Sequence, residues 1–477
     1  MKCVTQTWKR PLMFALLCVS LSGCRVGPNY KRPAVIAPPI YRGADGDQAA
    51  ASGASPTISL GDQKWWDVFS DPVLQDLLHK GIERNFDARV AAERVVQAQA
   101  QLGITRSDQF PQLNGTAAFT SERYAKNGIG NANPQLINLG SLGLSASWNL
   151  DFWGKYRRAT EQARAQLLSQ EWARRATLST VVMDIATGYF QLRTLDLELE
   201  ISKKTLTDRQ ESLKLIKALE AGGYSDTMLD VREAEQLVHS AEKEIPDLER
   251  QIEQEEDSIC TLIGENPHSI PRGFSIEQQT HLPTIPAGLP SDLLERRPDI
   301  REAEANLIAA NAEIGVARAD YFPQISLTGS AATETNALSR LFTGPSFAWS
   351  YGPSLSVPIF NAGQIKNNVR MAESEQRQSL VTYQQTIASA FSDVSKSLVA
   401  YRKYMEYRER QEELTAAAQD AAHLSEERFK AGQSAYLEVL TNETNYFSAE
   451  LDLATARQNE ILSLVQLYNA LGGGWQQ

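Results

Sequence analysis

Cysteine is scarce. Four occur in 477 residues, at Cys3, Cys18, Cys24 and Cys260, too few for the disulfide framework of a small secreted scaffold. The five histidines, His79, His239, His268, His281 and His423, include no i, i+4 pair and no Cys/His cluster of ligand spacing, so no metal motif is written here. The methionines form no repeated thioether motif. Neither a Walker A loop nor a GxSxG elbow occurs. The glycines of NGIGNANP lack the strand–helix setting that phosphate binding needs, and GGG at Gly472 to Gly474 is terminal. No catalytic constellation and no cofactor are expected, and the chain does not read as an enzyme. Basic charge is also short: 47 Lys and Arg face 58 Asp and Glu, for a net −11, without a Lys/Arg stripe. Nucleic acid, whose phosphates need a clustered basic surface, is excluded as a partner. Finally, no apolar run approaches the roughly 20 residues of a membrane helix. If this chain crosses a membrane, it does so with strands.

What is present begins at the N-terminus. Lys2, Lys9 and Arg10 precede the apolar stretch Leu12 to Leu21, the two regions of a secretory signal peptide. The run ends LSGC, which resembles the bacterial lipobox with Cys24 as the lipid acceptor; an ordinary signal peptide with a chance cysteine is the alternative. Residues 1–23 are then a leader, and losing its three basic residues takes the formal charge from −11 to −14. Arg25 follows the cysteine, and by resemblance to other bacterial lipoproteins the absence of aspartate there favours the outer membrane. Residues 24–63, rich in Pro, Ala, Gly and Ser, read as an extended tether from the lipid.

The rest is written twice. DQFPQLNG at Asp108 to Gly115 recurs as DYFPQISL at Asp320 to Leu327, LDFWGK ending at Lys155 lies over IFNAGQ ending at Gln364, and LEAGG at Leu219 lies over FKAGQ at Phe429. Three matches in order at nearly constant spacing mark a duplication, with halves at 64–290 and 291–477 and a Pro-rich connector from Gly264 to Pro290. Each half predicts a helix (Asp71 to Ser107, Ser291 to Ala319), an alternating region, a very long helix (Lys155 to Glu220, Ile365 to Lys430), an AG break and a last helix to Ile263 or Leu471. Pro246 falls inside the first of these last helices and is a place for a kink.

A helix of about 66 residues at 1.5 Å each spans on the order of 100 Å. The second carries Leu380, Tyr383, Ile387, Phe391, Val394, Leu398, Tyr401 and Met405, a heptad seam; the first has a looser one at Leu192, Leu195, Leu199, Leu206, Leu213 and Ile216. Below Met405 the seam turns polar or small, which predicts water on both sides there. An ordinary coiled coil shares this periodicity. In the alternating regions Leu142, Leu144, Ala146, Trp148 and Leu150, and Phe347, Trp349, Tyr351, Leu355, Val357 and Ile359, are interleaved with small polar residues. Aromatic-bearing, period-two segments of about ten residues are the pattern of membrane barrel strands. Each half offers two, four in all, which cannot enclose a lumen, and open edges are not tolerated in lipid. Either the sheet is soluble and packed on something, or several chains pool strands; three would give twelve, a sensible barrel.

CRVGPNYKRP at Cys24 to Pro33, WWDVFSDPVLQDLL at Trp65 to Leu78 and GLPSDLLERRPDIREAEANL at Gly288 to Leu307 resemble the NodT-like lipoprotein branch of TolC-type outer-membrane efflux proteins, over essentially the whole mature chain. The resemblance implies an α+β membrane protein: a homotrimer with a twelve-strand β-barrel in the outer membrane of a Gram-negative bacterium and a long-helix α-barrel in the periplasm. It implies passive exit of substrate loaded by an inner-membrane resistance-nodulation-division transporter through a periplasmic adaptor, the transporter doing most of the selecting. A protein-secretion conduit is the neighbouring reading, and a periplasmic coiled-coil scaffold lipoprotein a distant one. Gly222, Gly223, Gly432 and Gln433 match helix tips that contact the adaptor. Asp230 and Glu438 match acidic positions of a periplasmic gate. Thr441 stands where many relatives have a second aspartate, and Asp226 lies in an apparent insertion. A solvated helix face is the plain alternative for each carboxylate. Phe110, Pro111, Phe322 and Pro323 mark where helix hands over to strand.

Overall fold

The structure, a computed structural model, describes residues 25–35, 60, 63–123, 136–222, 228–279 and 292–475. Its first repeat runs α1 (Trp65–Val68), α2 (Pro72–Arg84), α3 (Phe86–Ser107), β1 (Gln112–Arg123), β2 (Leu136–Leu150), α4 (Lys155–Ala221) and α5 (Met228–Leu262). The second runs α6 (Leu293–Arg296), α7 (Pro298–Ala319), β3 (Gln324–Thr335), β4 (Phe347–Ser356), α8 (Gln364–Lys430) and α9 (Tyr436–Ala470). Corresponding elements match in length: 22 residues for α3 and α7, 12 for β1 and β3, 67 for α4 and α8, 35 for α5 and α9. α5 continues through Pro246. The loop at Lys126 to Pro134 lies outside the described residues, whereas Asn336 to Pro345 contains a turn of 3₁₀ helix at Leu338–Arg340 and the start of another at Gly344–Ser346.

One helix is predicted from Asp71 to Ser107, but the chain breaks at Asn85, which sits at φ −53°, ψ 134°. Its Oδ1 accepts from the amide of Ala88 at 3.0 Å, and its Nδ2 donates to the carbonyl of Leu262 at 2.8 Å. A short polar side chain that caps the next helix while bonding a distant one overrides helical periodicity. In the second repeat the break falls at Arg297, extended at ψ 122°, because Pro298 pushes the residue before it out of the α region.

Two compact units form. The first holds the described residues up to Ala34 with Val95–Gln170 and Ala303–Tyr383; the second holds the described residues of Val35–Arg94, Glu171–Glu302 and Gln384–Gln477. In the second unit Ile185, Tyr189, Phe190 and Leu192 are buried, as are Leu74, Leu77 and Leu78. Asp71 is fully buried there, and its carboxylate is met from every side. It accepts from the amides of Val73 (2.9 Å) and Phe274 (2.9 Å), from the Tyr189 hydroxyl (2.7 Å) and from Gln279 Nε2 (3.2 Å), which satisfies the requirement for a buried charge. The α8 seam is buried at Tyr383, Ile387, Val394, Leu398 and Tyr401. Below Met405 most of α8 is exposed, but one polar stripe is covered. Gln411, Thr415 and Ser425 are buried, and Gln411 Nε2 and Thr415 Oγ1 both donate to the carbonyl of Ala449 in α9. Small polar seam residues let two helices approach and bond, a packing that hydropathy alone does not register.

In the first unit the strands form one antiparallel sheet in the order β1-β2-β3-β4. Register puts Leu113, Ala117, Phe119, Leu142, Leu144, Trp148, Leu327, Trp349, Tyr351 and Leu355 on one face. Phe119, Trp349 and Leu355 there are 66%, 65% and 65% exposed. The opposite face is small and polar, with Ser326 and Ser354 hydroxyls 2.6 Å apart and Ser330 and Ser350 2.9 Å apart. β4 ends at Ser356 although alternation continues to Ile359. β3 begins at Gln324, opposite Ser356, so residues 357–359 have no strand to pair with in the chain itself. Among the described residues no helix is long and apolar enough to cross a membrane.

Candidate functional site

The second helix tip is described in full. α8 ends in a Schellman arrangement: the amide of Gln433 donates to Arg428 O and that of Gly432 to Phe429 O, both at 2.8 Å. Gly432 takes φ +72°, the left-handed step this reversal needs and that a Cβ disfavours. Glu438 falls in the first turn of α9 and receives Arg428 Nη1 at 2.8 Å. Thr441 Oγ1 donates back to Leu437 O at 2.8 Å. At the first tip Gly222 closes the end of α4 by donating to Ala218 O at 3.0 Å, and Asp230 stands in the first turn of α5. Gly223 and Asp226 lie outside the described residues, as does Cys24. The two tips share one apolar cluster of Ile216, Val231, Ala234, Tyr436, Val439 and Leu440, with Phe429 tilted on Tyr436 at 5.3 Å.

Next to this cluster lies a cavity of about 470 Å³ lined by Asp208, Arg209, Glu426, Glu443, Tyr446 and Phe447, among others. Burial pushes the Glu443 carboxyl up to about 7, opposed by the Arg209 charge and reinforced by Glu426 and Asp208. Arg209 is itself buried, donates to Leu237 O at 2.9 Å and lies 5.0 Å from the Phe447 ring centre. Neither residue is singled out by sequence reasoning. Each is a polar position on a helix rich in them, and only the packing of α4 against α8 and α9 distinguishes it.

At the other candidate positions, α3 ends at Ser107 and β1 begins at Gln112, with the Phe110 amide bonded to Ser107 O at 3.0 Å and Pro111 directly before the strand. The second copy repeats this, with Phe322 bonded to Ala319 O at 3.1 Å and Pro323 before Gln324. Residues 26–29 are strapped to the rest of the first unit. Arg158, 1% exposed, donates to Val26 O, Gly27 O and Asn29 Oδ1 at 3.1, 3.2 and 2.7 Å. Gly27 has φ +96°, and a Cβ there would lie 2.5 Å from the Cα of Gly315. Cys260 Sγ sits 3.0 Å from His268 Nδ1, whose Nε2 reaches Glu265 Oε2 at 2.9 Å. This order is that of a nucleophile and its base, but the thiol is buried and burial pushes its pKa up, so no reactive thiolate is presented.

A duplicated chain with tip-to-tip helix hairpins and an open four-stranded sheet has known counterparts. A family model described as outer membrane efflux protein matches residues 77–265 and 289–473. The solvent efflux pump outer membrane protein SrpC of Pseudomonas putida is 37% identical over 464 residues, 97% of each chain. The cation efflux system protein CusC of Escherichia coli K12 is 33% identical over 463 residues, 96% of this chain and 98% of that one. The solved open state of the Neisseria gonorrhoeae MtrE outer membrane channel superposes with a TM-score of 0.85 at 30% identity, covering 95% of this chain and 99% of that one. These relatives are transport proteins, and with them this internally duplicated chain of long helices and barrel strands belongs to the outer membrane efflux protein family.

Proposed function

We propose that the two helix tips close the periplasmic mouth of an exit duct and open it when an adaptor engages them. The chain is the outer-membrane channel of a tripartite efflux system in a Gram-negative bacterium. Three copies assemble, an inner-membrane resistance-nodulation-division transporter supplies substrate through a periplasmic adaptor, and the duct passes it outward. In this reading Gly222, Gly223, Gly432 and Gln433 meet the adaptor. Asp230 and Glu438 present acidic charge that threefold repetition concentrates on the axis, with Asp226 a further contributor and Thr441 leaving its position uncharged. Cys24 carries the lipid, and Phe110–Pro111 and Phe322–Pro323 lie at the level where helices give way to membrane strands. The duct performs no reaction of its own. Relatives named for solvents, antibiotics and cations share the architecture, which supports cargo choice by the transporter.

The observation that carries the gate reading is the Arg428–Glu438 ion pair. It ties the last turn of α8 to the first of α9 across the reversal, so the charge of Glu438 and the shape of the tip are coupled. Single-channel recording in planar bilayers tests it. Asp230→Asn combined with Glu438→Gln should raise the leak conductance and weaken block by multivalent cations. A conductance and block identical to the parent's overturns the gate assignment, whereas protein that forms no conducting species overturns the channel reading.

A further inference from the structure

The cavity of about 470 Å³ beside the tip cluster draws on both repeats: Asp208 and Arg209 come from α4, Glu426 from α8, and Glu443, Tyr446 and Phe447 from α9. Its volume is that of a small-molecule site. Arg209 is 4% exposed. Its Nη1 donates to Leu237 O at 2.9 Å, while its Nε–H is buried with no partner among the described residues. Oε2 of Glu443, lining the same cavity, is buried and has none either. Buried polar atoms are met in folded proteins. An unmet N–H and an unmet carboxyl oxygen on one cavity therefore mark a place for a ligand that accepts at one end and donates at the other.

Charge narrows the choice. Of the charged residues lining the cavity, five are acidic and three basic, which disfavours an anion. Asp208 and Glu426 lie close enough to Glu443 for their charges to oppose its ionisation. Glu426 has Lys430 at 2.6 Å, and Glu450 has the Tyr446 hydroxyl at 2.7 Å. Asp208 and Glu443 form no ion pair among the described residues, so the acidic excess is concentrated on them. Nor do three His, Cys, Asp or Glu side chains come together to hold a metal ion among the described residues. Leu215 and Phe447 give the cavity an apolar wall.

We infer that this cavity binds an organic ammonium ion that also carries a hydroxyl or carbonyl oxygen and an apolar ring. The ammonium N–H donates to Glu443 Oε2 and is held by the charge of Asp208. The oxygen accepts from Arg209 Nε, and the ring lies against Leu215 and Phe447. Such a ligand meets both unpartnered atoms and offsets the acidic excess; water does the first without the second. Because it touches α4 of the first repeat and α9 of the second, its binding stabilises their packing in step with occupancy. Neither the trimer nor the gate enters into this site.

Quinine supplies all three features: a quinuclidinium nitrogen, a hydroxyl and an aromatic ring. Isothermal titration of the purified full chain in a non-ionic detergent near neutral pH should show one saturable quinine site per chain. Asp208→Asn and Glu443→Gln should each weaken it by about tenfold or more. Quinuclidine, which keeps the ammonium and lacks the hydroxyl and the ring, should bind the parent weaker by about tenfold or more, and Arg209→Met should narrow that gap. Quinine should also raise the melting temperature of the parent and leave that of Glu443→Gln, whose side chain keeps its shape, where it was. No saturable heat assigns the cavity to water and overturns the site. Heat that is equal in the parent and both carboxylate variants reports partition into the micelle and overturns it as well. Quinuclidine binding as tightly as quinine overturns the assignment of the oxygen to Arg209.

Discussion

Trp153, from the first repeat, donates its indole N–H to the carbonyl of Pro323 at 2.8 Å and stacks on Phe322 at 4.8 Å in the second. The two repeats are thus fastened at the point where helix becomes strand. Trp153→Phe keeps a ring and loses the hydrogen bond, worth about 1 kcal/mol. Trp153→Ala also loses the stacking of a half-buried ring on Phe322, a further ~1 kcal/mol. Thermal unfolding in detergent should rank parent, phenylalanine and alanine in falling order. An alanine variant that melts with the parent would remove the fastening role.

Arg158 should control the strap. Truncating it leaves two backbone carbonyls and the Asn29 side chain without their donor, a cost of about 2 kcal/mol, or roughly a 30-fold larger released population. Trypsin cleavage after Arg25 and Lys31 should accelerate by that order in Arg158→Ala. Unchanged cleavage would show that the strap is held elsewhere.

Glu443 should make the tip region pH-sensitive. Its folded pKa, about 7, lies above the ordinary 4.5, so the folded chain keeps a proton that the unfolded chain releases between those values. Stability from this group is present below pH 4.5 and lost as pH rises through 7. Asp208 and Arg209 on α4 and Glu426 on α8 are the charges that face it. Glu443→Gln should therefore melt higher than the parent at pH 8, with the gap closing towards pH 5. A gap that widens on acidification would contradict burial as the cause.

Cys24→Ser should abolish labelling by radioactive palmitate and weaken retention in the outer-membrane fraction, while trimers still form. Palmitate incorporation at parental level would refute the lipid assignment.

The proposed gate was partly legible in the sequence. Glu438 and Gly432 stand in a patterned stretch after a helix break, but Arg428 is one basic residue among many on α8. Its pairing depends on a reversal that brings residues ten apart face to face. Asn85 was hidden for a similar reason, since its second partner is Leu262, far along the chain.

Element type was determined by sequence alone, because helical and strand periods are local properties repeated over many residues. The two 67-residue helices, the four strands and the duplication all follow from period and spacing. Tertiary structure decided what pairs and what is buried: the polar seam at Gln411 and Thr415, the shifted carboxyl of Glu443 and the end of β4 at Ser356. Each depends on what a distant segment presents, and a strand is only as long as its neighbour allows.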